Sequence, residues 1–128
     1  MHASARLVAF LPSVDLDRAR PFFHDALGLR LSEDSPFACV FDAQGTELRV
    51  TRVDRAPEAP FTVLGWTVDD IAAAIAELTG RGVTFVRFDG MDQDDLATWT
   101  APGGARVAWF KDPDGNTLSL TQPAEEPR

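Results

Sequence analysis

Apolar residues in this chain alternate or bunch in short blocks, and only twice take the three-and-four spacing of a helix. From Ala5 to Leu11 the run places Leu7, Ala9 and Leu11 on one face and Val8 and Phe10 on the other, as in a strand buried on both sides. Pro12 is expected to end it. Asp15 is placed to cap a helix whose apolar positions are Leu16, Ala19, Phe23, Ala26 and Leu27, with Gly28 as its stop. Pro21 interrupts that pattern and predicts an irregular first turn. Three short strands follow, over 29–32, 37–41 and 46–51, the last two joined by a turn from Asp42 to Gly45.

After a polar stretch with two prolines, RVDRAPEAP, the plan repeats. Residues 61–68 read as a strand, and Asp69 or Asp70 caps a helix with Ile71, Ala74, Ile75 and Leu78 on one face and Gly80 and Gly82 at its end. Strands are expected over 83–88, 106–111 and 117–121. LPSVDLDRA and GWTVDDIAA match when Asp15 is set against Asp70 and Leu16 against Ile71, which implies two copies of one βαβββ unit. The fold class is therefore α+β, with a first module over 1–52, a linker over 53–60, a second module over 61–122 and a frayed tail over 123–128. The second copy carries an insertion, DGMDQDDLATWTAPGG, acidic at first and then bearing Trp99.

Composition narrows the partners. The 128 residues carry a net charge of −8, and only Lys111 among the 12 basic residues is a lysine. Nucleic acids and anionic membranes, which need clustered cations, are disfavoured. A chain of this size buries roughly two-thirds of its unfolded surface, so its core needs no metal or disulfide. Cys39 has no partner for an internal disulfide and reads as a small buried hydrophobe. No apolar run reaches the roughly 20 residues of a membrane span, and MHASAR has no apolar leader, so a cytoplasmic protein is expected.

Two βαβββ units, with VDLDRARPFFHDALGL in the first and DPDGNTLSL closing the second, resemble the vicinal-oxygen-chelate superfamily of glyoxalases, bleomycin-resistance proteins and dioxygenases. The resemblance spans nearly the whole chain, and the DPDGN turn is its most specific piece. It implies that each module curls its sheet into a half-barrel with the helix outside. In the metal-dependent members, His, Glu or Gln on the first and last strands of both modules bind one divalent ion. Carried onto this sequence, those slots fall at Val8, Arg49, Val63 and Ser119. Two valines offer no donor atom, arginine has no lone pair, and a serine hydroxyl alone is a poor ligand. The expectation is a kept fold without metal or other cofactor.

Alternation places Val8, Phe10, Arg49, Val63, Gly65, Thr67, Trp109 and Ser119 on the concave side, with Leu48, Val50, Leu64, Trp66, Leu118 and Leu120 toward the helices. Phe10, Arg49, Trp99, Trp109 and Ser119 are the candidate ligand-binding residues. Trp109 and Trp99 either stack on a planar ligand or fill a dimer interface. Arg49 either clamps an anion or pairs with Glu47, and the acidic run Asp89, Asp92, Asp94 and Asp95 is read as a solvated loop that attracts a cation if it folds over the groove. His24 reads as a surface histidine, and one usable histidine supports no catalytic triad. Three functions stay open: a metal-free binding protein like the bleomycin-resistance proteins, a lyase, isomerase or dioxygenase with an atypical site, and a dimeric interaction module. A homodimer and a small-molecule ligand are the expected partners.

Overall fold

The computed structural model describes residues 1–57 and 59–125. The chain divides into two compact units, Met1–Glu58 and Ala59–Arg128, so the division falls inside the stretch read as a linker. Part of the tail over 123–128 lies outside the described residues.

The first unit runs β1 (Val8–Ser13), α1 (Leu16–Pro21), a π-helical segment (Phe22–Ala26), β2 (Arg30–Asp34), β3 (Ala38–Ala43) and β4 (Thr46–Arg52). Its sheet has the order β1-β4-β3-β2, with β1 parallel to β4 and the other pairs antiparallel. The second unit runs β5 (Thr62–Thr67), α2 (Ile71–Gly80), β6 (Trp99–Thr100), β7 (Arg106–Lys111) and β8 (Thr117–Gln122), in the same order, β5-β8-β7-β6. These are two open, mixed sheets of one βαβββ plan, an α+β architecture with no closed barrel. No helix among the described residues is long and apolar enough to cross a membrane.

The matched aspartates do equivalent work. Asp15 accepts from the Asp17 amide and Asp70 from the Ala73 amide, each satisfying a helix-end donor. The next residues, Leu16 and Ile71, are both buried. The first core gathers Leu11, Phe23, Cys39, Phe41, Leu48 and Val50, with Phe23 and Phe41 rings 5.6 Å apart. The second gathers Ile71, Ile75, Ala108, Phe110, Leu118 and Leu120, and Phe110 meets Trp66 and Phe85.

Three sequence expectations are corrected. Pro12 does not end β1; it sits inside the strand opposite Thr51. Because β1 is an edge strand, it bonds a neighbour on one side only and tolerates a residue without an N–H. Pro21 leaves the first turn of α1 intact and instead marks where the α-helix gives way to the π segment, with the Leu27 amide reaching back five residues to the Phe22 carbonyl. The strand expected over 83–88 reduces to one bridge, Phe85 to Phe110, and an N–H···O bond from Val86 to Trp109. The insertion's own Trp99–Thr100 pairs with Val107 and Arg106 and so takes the other half of the β7 edge.

The DPDGN turn is built on Asp112. Its carboxylate accepts from the amides of Asp114 (3.0 Å) and Asn116 (2.9 Å) and from the Asn116 side chain (2.7 Å), while Gly115 supplies a positive φ of 85°. Asp112 and Asn116 are both buried. Burial raises the Asp112 pKa from its ordinary 3.8 despite these bonds, so ionising it works against the native state. Its own contribution to stability is therefore greatest in acid and declines as pH rises from about 3.8 through the raised value. Replacing Asp112 by alanine strands the Asn116 donors, and we expect a loss of about 2–4 kcal/mol, read as a drop on the order of 10 °C in the unfolding midpoint.

Candidate functional site

Each sheet shows one face to its helix and leaves the other open. In the first unit the open face carries Val8 and Phe10 from β1, Glu47 and Arg49 from β4, Val40 from β3 and Glu33 from β2, because the register sets Phe10 beside Arg49, Arg49 beside Val40 and Val40 beside Glu33. Arg49 is held between two carboxylates, Nε 3.7 Å from Glu47 and Nη2 3.6 Å from Glu33. The pair with Glu47 was legible from the sequence. Glu33 was not, since it comes from the far strand of the sheet, across a bulge between Leu31 and Glu33.

In the second unit Gly65 lies beside Ser119, the pairing equivalent to Phe10 and Arg49. Both Phe10 and Gly65 stand five residues before their helix-capping aspartates. A side chain at Gly65 would collide with the Ser119 hydroxyl, so the glycine is what lets Ser119 fit, and Ser119 is buried. Val63 falls where the β5–β8 register shifts, between Thr62 and Leu64.

These residues do not fit a divalent metal. The valines, the arginine and the lone serine at the inherited slots supply no set of converging donors. Glu33 and Glu47 are the open-face carboxylates beside Arg49, and that guanidinium already occupies the place of a cation between them. Among the described residues no group of three or more His, Cys, Asp and Glu side chains is gathered closely enough to hold a metal.

The second open face carries aromatic rings instead. Trp109, opposite Ser119 on β7, donates its indole N–H to Thr62 Oγ1 at 3.0 Å. Phe88 meets it edge-on, with centroids 5.4 Å apart and planes at 89°. Trp99 lies 6.3 Å away at 37°. Phe88 stays 37% exposed and both tryptophans are partly exposed, so the three rings form an accessible apolar notch rather than core. Of the five residues singled out by sequence, Trp99, Trp109 and Ser119 come together in this unit, while Phe10 and Arg49 adjoin in the other. Phe88 and Thr62 escaped the sequence reading. The first sat in an expected strand, and the second's role depends on an indole 47 residues away.

Other candidates resolve into structural parts. Cys39 is fully buried with its thiol toward Asp34 (3.5 Å), and burial pushes its pKa up, which suppresses the reactive thiolate. The exposed His24 pairs through Nδ1 with the Leu29 carbonyl at 2.9 Å, tying the π segment to the following loop. Within the acidic run Asp94 departs from the expected solvated role: its carboxylate accepts from the amides of Leu96 and Thr98 and pairs with Arg106 at 3.6 Å.

The fold has many solved relatives. TnmS3, an antibiotic binding protein from Streptomyces sp. CB03234, is 28% identical, with 97% of this chain and 99% of that one covered at a TM-score of 0.68. A lactoylglutathione lyase from Agrobacterium tumefaciens is 19% identical, with 93% of each chain covered at 0.72. A glyoxalase/bleomycin resistance protein/dioxygenase from Nocardioides is 20% identical, with 100% of this chain and 89% of that one covered at 0.73. These last two likenesses show the fold alone. A search of curated proteins gives no match. Residues 5–120 match the family model, and with the paired βαβββ units they place this chain in the Glyoxalase/Bleomycin resistance protein/Dioxygenase superfamily.

Proposed function

We propose that this chain is a metal-free small-molecule-binding protein of the bleomycin-resistance type, which sequesters a planar ligand. The observation that carries this reading is the notch of Phe88, Trp99 and Trp109, set beside Ser119 in a fold whose inherited ligand slots hold Val8, Arg49, Val63 and Ser119. Partly exposed rings at centroid spacings of 5.4 and 6.3 Å offer edges and faces to an incoming aromatic plane. The likeness to TnmS3, an antibiotic binding protein, supports a ligand of that general kind. Among the described residues no arrangement of nucleophile, base and acid supports turnover, so binding is the function the geometry favours over lyase, isomerase or dioxygenase chemistry.

In the first unit Arg49 is already engaged. Its two carboxylate partners outnumber it, so in this reading the first unit's face carries a net negative charge around the guanidinium and is no anion clamp. A homodimer belongs to the same proposal. Edge strand β1 carries Phe10 at 65% exposure with Leu7 just before it at 77%, and Phe61, just before edge strand β5, is 63% exposed. A second copy covering such apolar edges would remove both unpaired backbone and apolar surface from water.

The first test is elemental: protein purified without chelator should contain well under one equivalent of Zn, Ni, Fe or Mn, and a stoichiometric, chelator-resistant metal would overturn the reading.

Binding is tested with planar probes of three charges, neutral 7-hydroxycoumarin, cationic proflavine and anionic anilinonaphthalene sulfonate, followed by tryptophan fluorescence. Trp109→Leu should weaken whichever probe binds by roughly tenfold, since a stacked ring contributes about 0.5–1.5 kcal/mol beyond its area. If no probe binds, or if Trp109→Leu leaves affinity untouched, the notch is not the site.

Light scattering at micromolar concentration should return twice the 14.0 kDa chain mass, and a monomer would remove the dimer from the proposal.

A further inference from the structure

Trp109 is fixed by its own strand, paired through β7 to β8 and pinned to Thr62. The other two walls of the notch have less support. Phe88 lies outside any strand, and Trp99 belongs to one of two residues. Both sit at the ends of a loop that must be held by something other than a sheet ladder.

That support converges on Gln93. Its Oε1 accepts from the Phe88 amide at 2.8 Å, and its Nε2 donates to the carbonyls of Val86 at 3.0 Å and Ala97 at 2.8 Å. Its backbone bridges Trp99 in antiparallel fashion. One side chain thus uses both amide donors and its carbonyl to tie the strand-side end of the loop to its return. Asp94 locks the return itself, accepting from the amides of Leu96 (2.9 Å) and Thr98 (3.0 Å), while its own carbonyl receives the Arg87 guanidinium at 2.7 Å. Between them Ala97 is held at φ 58°, a left-handed conformation that a non-glycine residue adopts only when its surroundings require it.

We propose that Gln93 is the positioning residue of the aromatic notch, holding Phe88 and Trp99 against Trp109 before any ligand arrives; this rests on the binding reading for its purpose but not for its geometry. A notch already built loses less conformational freedom on binding than one that must be assembled, so Gln93 acts on affinity without touching the ligand.

The test substitutes Gln93 by methionine, which keeps the length of the side chain and removes all three hydrogen bonds, with Gln93→Ala as a second variant. Two indoles as close as Trp99 and Trp109 couple their transitions, giving a paired band in circular dichroism that Trp99→Phe should abolish. Measured well below the unfolding midpoint, both Gln93 variants should lose most of that band. A probe that binds the parent protein should bind them about tenfold more weakly. An unchanged band with unchanged probe affinity overturns the assignment, as does a band that fades only in step with global unfolding. Should no probe bind even the parent protein, the binding reading fails while the band alone still decides the role of Gln93.

Discussion

The parallel pairing of first and last strands is the constraint on which everything else in each unit depends. It sets Phe10 beside Arg49 and Gly65 beside Ser119, residues 39 and 54 positions apart in the chain. A parallel pair cannot be closed by a tight turn; it needs a crossover, which here starts with the helix capped by Asp15 or Asp70 and returns through the unit's two middle strands. Once the cap fixes where the helix starts, the strand before it is in register. Every second residue of both strands is then committed to the open face. The chemistry of the site is a consequence of that commitment, since a slip of one residue would send Arg49 into the core and Leu48 out of it.

Against that frame, the slots have been refilled in different ways by the two units. In the first, a guanidinium stands between Glu33 and Glu47, at 3.6 and 3.7 Å. These are exposed, stretched pairs that contribute about 1 kcal/mol at most to stability, so their meaning lies in charge placement. In the second, the equivalent position is a serine whose hydroxyl takes the space that glycine at 65 leaves open. Even a β-carbon at 65 would meet the Ser119 hydroxyl, so Ser119 would have to turn its side chain away before a larger residue could enter there.

Much of this was legible in the sequence, and the parts that were not share a cause. The caps, the two helices and the open-face alternation follow from local periodicity, which reports on residues two to four apart, and the doubled plan from matching one such local pattern to the other. Arg49's partner Glu47 is two residues away and was visible; Glu33 reaches Arg49 only through the register of three strands and a bulge. The strand expected over 83–88 fails for a nonlocal reason as well, because Trp99 and Thr100 compete for the same edge of β7. Pro12 was misread because its effect depends on whether the strand is central or at an edge, and no local pattern reports that. Nor could composition separate Asp94 from its acidic neighbours, since what distinguishes it is the direction of two backbone amides.

The asymmetry between the units follows from the same competition. In the first, the edge beside β3 is one strand, β2, bulged between Leu31 and Glu33 and joined to β3 by a short turn. In the second, the insertion divides that edge between two short segments, Phe85–Val86 and Trp99–Thr100, and the chain between them is released from the ladder. Release leaves its backbone groups to be satisfied by side chains, which Gln93 and Asp94 do. It also frees Phe88 from the strict alternation of a strand, so it can turn toward Trp109, while the short β6 pairing sets Trp99 on the other side. A regular strand would have delivered residues to that face only at every second position along one line. The three-ring notch is therefore something the duplicated plan could not supply by itself; it required that one copy of the edge be broken.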